Sequence, residues 1–95
     1  MAVAAGRAGK VEVAGLQVAA YTVPTDGPES DATLQWDSTT AVIVRAHGGG
    51  EAGLGYTYGP EAVARVAESQ LADVVAGADA WSPQAGWAAM QRALR

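Results

Sequence analysis

Apolar and polar residues alternate along residues 11–23, where Val11, Val13, Leu16, Val18 and Ala20 are candidates for the buried face of a first strand. Gly15 interrupts the alternation and predicts a bulge or local bend. Pro24 removes a ladder donor and is expected to end that strand. Residues 25–37 contain Gly27, Pro28 and the acids Asp26, Glu29, Asp31 and Asp37, so they read as a long loop with Trp36 as an apolar anchor near its end. Residues 39–46 give the densest β signal, with Val42, Ile43 and Val44 in succession. A glycine turn follows, then a third strand over residues 52–58. From Pro60 the period changes: Val63, Val66, Ala67, Leu71, Val74 and Val75 recur at helical spacing and form one apolar stripe. Pro60 suits a first helical position, and Gly77 suits a helix stop. Ser82 and Pro83 are expected to cap a second helix, with Trp87, Met90 and Leu94 on one side. The order predicts an α+β domain, a three-stranded antiparallel β-meander followed by helices packed on one face.

Residues 48–53 also spell the dinucleotide fingerprint, with glycines at Gly48, Gly50 and Gly53. That chemistry needs a helix starting at the last glycine, because its N-terminus holds the pyrophosphate. Here Leu54, Gly55, Tyr56, Thr57 and Tyr58 continue as strand, and the helix pattern opens only at Pro60. The glycines are read instead as a turn that needs positive φ. It is a hairpin.

Composition narrows the function classes. A chain of 95 residues forms one domain at most. It contains no cysteine, which removes disulfides and thiolate metal sites and makes a cytoplasmic setting the default. The one histidine, His47, excludes a His-pair metal site or a conventional Ser-His-Asp triad within the chain, and it is expected to be exposed and inert. A net charge of −4 with scattered Lys and Arg argues against nucleic acid. No apolar run is long enough to span a membrane. Residues 1–10 are too short and too weakly apolar for a signal peptide and are expected to form a frayed leader. With three Trp, three Tyr and no Phe, large apolar groups are few, which suggests a domain that leans on something else.

Among the candidate chemical groups, the acids Asp26, Glu29 and Asp31 could form a metal cluster, but such a run is more often a solvated loop, and it is read so here. Trp36 can stack on a ligand or anchor the loop. Tyr56 and Tyr58 have the same parity on one strand and should share a face. Trp81, Trp87, Met90 and Leu94 suit core or docking surface.

Residues 11–95 together resemble the N-terminal capping domain of the enolase superfamily, in the mandelate racemase/muconate-lactonizing enzyme branch. The resemblance rests on Val23 and Pro24, a variable stretch to Trp36, Asp37, Ser38, Thr39 and Thr40, and the strand Ala41, Val42, Ile43, Val44 and Arg45. It continues through Gly48, Gly49 and Gly50, then Gly53 to Tyr58, the helix from Pro60, and the run from Leu71 to Asp79. The resemblance implies a larger enzyme, an isomerase or lyase in which a C-terminal (β/α) barrel carries Mg²⁺ and the acid/base groups that abstract a proton α to a carboxylate. That barrel is absent from these 95 residues, so no catalytic or metal-binding residue is expected here, and the chain alone should be inactive. The implied role is substrate selection and closure over the site. Its substrate-binding candidates are Thr25, Asp26, Glu29, Ser30, Asp31 and Trp36 in the first loop, and Tyr56 and Tyr58 on the third strand. Many relatives carry Glu where Tyr56 stands, which is closer to the mandelate racemase pattern. The polar loop would suit a hydroxylated carboxylate such as a sugar acid. The resemblance further implies a homo-oligomeric parent enzyme. A stand-alone α+β module for binding or oligomerisation remains the alternative.

Overall fold

The structure, a computed structural model, describes residues 9–95, so residues 1–8 of the expected leader lie outside it. Three strands form one antiparallel sheet in the order β1-β2-β3: β1 (Val13–Ser30), β2 (Gln35–Gly48) and β3 (Glu51–Tyr58). Helix α1 (Glu61–Val66) runs through a π-helical segment, Ala67–Leu71, into α2 (Ala72–Val75), and α3 (Pro83–Ala93) follows. The α+β meander with its helices on one face is as predicted.

The glycine hairpin follows from backbone sterics. Gly48 pairs with Glu51, and Gly49 and Gly50 between them have φ of 58° and 81°. Two consecutive positive φ angles make the turn whose twist matches the strands, and a Cβ disfavours both. Gly77 (φ 81°) ends the helical run as expected, and its N–H donates to the carbonyl of Val13, tying the helix stop to β1. The break in pairing between Val13 and Gly15 is the bulge anticipated there.

Three expectations need correction. The first strand does not stop at Pro24, and residues 25–37 are not a loop. Pairing lapses between Pro24↔Ser38 and Glu29↔Trp36, so Thr25, Asp26, Gly27 and Pro28 bulge out opposite Asp37, and the ladder then resumes to Ser30↔Gln35. β1 is an edge strand, so proline's missing donor leaves no ladder partner stranded. The true turn is closed by Asp31: its N–H donates to Leu34 O (2.9 Å), while its Oδ1 accepts the N–H groups of Thr33 (2.7 Å) and Leu34 (2.8 Å). Second, Ser82 sits at the N-cap of α3 without a side-chain cap bond; its hydroxyl points to Asp79 Oδ2 at 3.5 Å. Asp79 is instead the local clasp, since its Oδ1 also accepts the N–H groups of Val11 (3.3 Å) and Trp81 (3.0 Å). Third, His47 is half-buried rather than exposed, and its Nε2 lies 2.9 Å from Gln17 Oε1.

The core is thin. Only Val42, Ala64 and Ala67 are buried apolar residues among those described. Helix α1 packs on β1 and β2, whereas α3 packs on the preceding helical run and touches no strand among the described residues. A cavity of about 460 Å³ lies between, lined by Leu16, Val44, Ala46, Val75, Pro83 and Met90 among others. Those residues fix the helix-covered side of the sheet: it takes Leu16 and Val18 of β1, and Val42, Val44 and Ala46 of β2. Cross-strand partners then put Gly53, Gly55 and Thr57 of β3 on that side.

Candidate functional site

The opposite, helix-free side carries the aromatic residues. Alternation and register place Tyr21 and Tyr58 on either side of Ala41, and Ile43 beside Tyr56. Ala41, a small residue, separates the two tyrosines of its row. Tyr56 and Tyr58 do share a face: their rings meet edge to face with centroids 5.9 Å apart. Both are more than 60% exposed, as their position on an uncovered face requires.

At the end of this face the hairpin of β1 and β2 projects as an arm. Its effect on shape is large: the radius of gyration is 16.7 Å, against about 12.5 Å for a compact domain of this length. Where the arm leaves the sheet, Val23, Pro24, Thr25, Glu29, Trp36, Thr39 and Tyr58 line one open pocket of about 600 Å³. Trp36 donates its indole N–H to Glu29 Oε1 at 3.1 Å, a bond that spans the arm next to the irregular stretch. Thr25 donates its hydroxyl to Gly27 O at 2.6 Å and so shapes the bulge. The bulge is therefore what aims Thr25 and Glu29 into the pocket.

Of the residues singled out in the sequence, Thr25, Glu29, Trp36 and Tyr58 meet in this pocket, and Tyr56 stands beside Tyr58. Asp26, Ser30 and Asp31 lie elsewhere on the exposed arm. Val23 and Thr39 were not among the substrate-binding candidates. They pair directly with each other, and the alternation of β1 and β2 was the signal that could have found them.

Asp31 is committed to its turn. The N–H groups of Thr33 and Leu34, with the Thr33 hydroxyl, hold its carboxyl below the ordinary carboxylate range. Because the folded value is depressed, its contribution to the turn is complete above the unfolded carboxylate value and is lost as pH falls through the lowered one. Amide shifts of Thr33 and Leu34 should therefore titrate below the usual carboxylate range, and Asp31→Asn should abolish that titration. Titration at an ordinary carboxylate pH would contradict it.

Metal chemistry finds no donor set here. Among the described residues no group of three or more His, Cys, Asp or Glu stands together as metal ligands would. Glu29 holds the Trp36 indole, and Asp31 holds backbone amides. The described residues thus do not fit a Mg²⁺ site. Nor is any helix among them long and apolar enough to cross a membrane.

No protein-family model matches the sequence, and no curated protein matches it. A solved structure does: a mandelate racemase/muconate lactonizing enzyme-like protein from Rubrobacter xylanophilus, 64% identical over 88% of this chain, with a TM-score of 0.86. The chain is enolase-superfamily N-terminal-domain-like, of the mandelate racemase/muconate lactonizing enzyme branch. It spans 23% of that relative's length. Within this enolase-type domain the arm and the end of β3 supply the groups gathered at the pocket, and the helices stay on the other side of the sheet.

Proposed function

We propose that the chain is the substrate-specificity and lid domain of an enolase-superfamily enzyme, of racemase or acid-sugar dehydratase type. The supporting observation is the convergence of Thr25, Glu29, Trp36 and Tyr58 on one open pocket at the root of a projecting arm. A lid excludes water and contacts the distal end of a substrate while the reacting end lies elsewhere. The lining suits that division. Two aromatic faces and the Thr25 hydroxyl can hold a hydroxylated carbon chain, and the Glu29 carboxylate accepts hydrogen bonds from hydroxyls while repelling a carboxylate. A sugar acid would therefore present its hydroxyls to the arm and its carboxylate to the partner domain. In this reading the partner is a C-terminal (β/α) barrel of the same enzyme, which supplies Mg²⁺ and the acid/base groups for proton abstraction α to the carboxylate. The chain's own residues bind, orient and exclude water. The parent enzyme is taken to be a cytoplasmic homo-oligomer.

The test is α-proton exchange of hydroxylated carboxylic acids in D₂O. The 95-residue chain alone should give none. A chimera in which it replaces the matching segment of the Rubrobacter xylanophilus protein should exchange within about tenfold of that protein, since the distal contacts tune a reaction whose chemistry lies in the barrel. Exchange by the isolated chain, or a folded chimera without exchange beside an active parent, would overturn the proposal.

A further inference from the structure

β3 is the outer strand of the sheet, and all its residues are exposed. Among the described residues no helix packs against it. The direction of its backbone groups follows from one bond: the Gly59 N–H donates to Thr40 O at 3.1 Å. Antiparallel strands alternate between residues that face the partner and residues that face away. Glu51, Gly53, Gly55 and Thr57 share the parity of Gly59 and therefore face β2. Ala52, Leu54, Tyr56 and Tyr58 direct their N–H and C=O groups outward, where no strand among the described residues receives them. An open edge of this kind, with large apolar side chains and no charge between Glu51 and Glu61, is a template for another strand.

We propose that this edge pairs with the same edge of a second copy of the chain, antiparallel, about a two-fold axis at Gly55. In that register Leu54 lies opposite Tyr56 of the second copy, and Ala52 opposite Tyr58. Every outward donor of residues 52–58 then meets an outward acceptor. The Leu54–Tyr56 contacts form twice on the helix-free side, an aromatic–aliphatic cross-strand pair of the favourable kind. On the helix-covered side the central pair is Gly55 with Gly55, flanked by Gly53 with Thr57. Side chains are smallest where the two backbones approach most closely, as a non-hydrogen-bonded pair requires. Glu51 falls opposite Gly59 rather than another acid. The two-fold symmetry makes the contact self-complementary and closed, giving a dimer rather than a filament. The result is one continuous six-stranded sheet that leaves both arm pockets open on the same side. The proposal does not rest on the lid reading, although Tyr58 belongs to both: edge pairing uses its backbone groups, whereas its ring lines the pocket.

Sedimentation velocity of the full chain, with two variants, tests this. The wild-type chain should sediment as a dimer. Its association should tighten with added salt, because each copy carries a net charge of −4. Tyr56→Pro removes an outward donor from each copy without touching the β2 ladder and should weaken association by about 100-fold. Leu54→Lys places a charge beside its symmetry mate's cluster and should give a monomer with an unchanged far-UV spectrum. In a mixed sample of labelled and unlabelled chains, an intermolecular NOE should connect Leu54 to Tyr56. A wild-type monomer at every concentration would overturn the proposal. So would a dimer that survives Leu54→Lys, or an intermolecular NOE set confined to α3.

Discussion

Val42→Ala should destabilise the domain by about 2 kcal/mol, from the transfer of two methyl groups out of a buried site and the cavity they leave. Val42 is the largest fully buried side chain, at 1% exposure, on the central strand and under α1. Its buried neighbours in the core are alanines, Ala64 and Ala67, which have no longer side chain to relax into the gap. For a domain of this size the total stability is on the order of 5–14 kcal/mol, so the loss is a large share. The corresponding fall in Tm is roughly 8–16 °C, measured by thermal unfolding followed by circular dichroism. Leu34→Ala, at the exposed tip of the arm, should change stability by no more than about 0.5 kcal/mol. Equal effects at the two positions would contradict the placement of the core.

The thinness of that core was legible from composition, and the hairpin at Gly49 and Gly50 from the steric demand of positive φ. The arm was not. Pro24, Gly27 and Pro28 are genuine breaker signals, and the chain does leave the ladder there. What they report is the bulge; that pairing resumes at Glu29 and Trp36 depends on partners across the hairpin, which local signals do not encode. The alternation of β1 and β3 separated two faces correctly, yet alternation alone does not say which one the helices cover. That choice decided whether Tyr56 and Tyr58 were core or surface. Along the helix the predicted stripe included Ala67, which is buried, but it missed Ala64 and began at Val63, which is exposed. The stripe is otherwise kept past the π-helical segment Ala67–Leu71, since Leu71, Val74 and Val75 are all half-buried.

Within the candidate site, Trp36 and Tyr58 should carry the largest functional effects. They are the aromatic walls of the pocket at the arm's root, and Trp36 also positions Glu29 through its indole N–H. In the chimera with the Rubrobacter xylanophilus protein, Trp36→Ala and Tyr58→Ala should each lower kcat/KM for a hydroxylated acid by about 10- to 100-fold, mainly through KM. Contacts to the distal end of a substrate are binding contacts, so the exchange step itself should be less affected. Trp81→Ala, at an exposed tryptophan that does not line the pocket, should leave both constants near those of the unsubstituted chimera.

In the lid reading proposed above, this domain selects substrate through the arm pocket and performs no chemistry of its own. The most direct measurement is the ratio of kcat/KM for a polyhydroxylated acid to that for a short acid lacking distal hydroxyls, compared between the chimera and its Tyr58→Ala variant. The ratio should fall by about tenfold or more, because only the longer substrate reaches the pocket. A ratio unchanged by Tyr58→Ala in a folded, active chimera would contradict it.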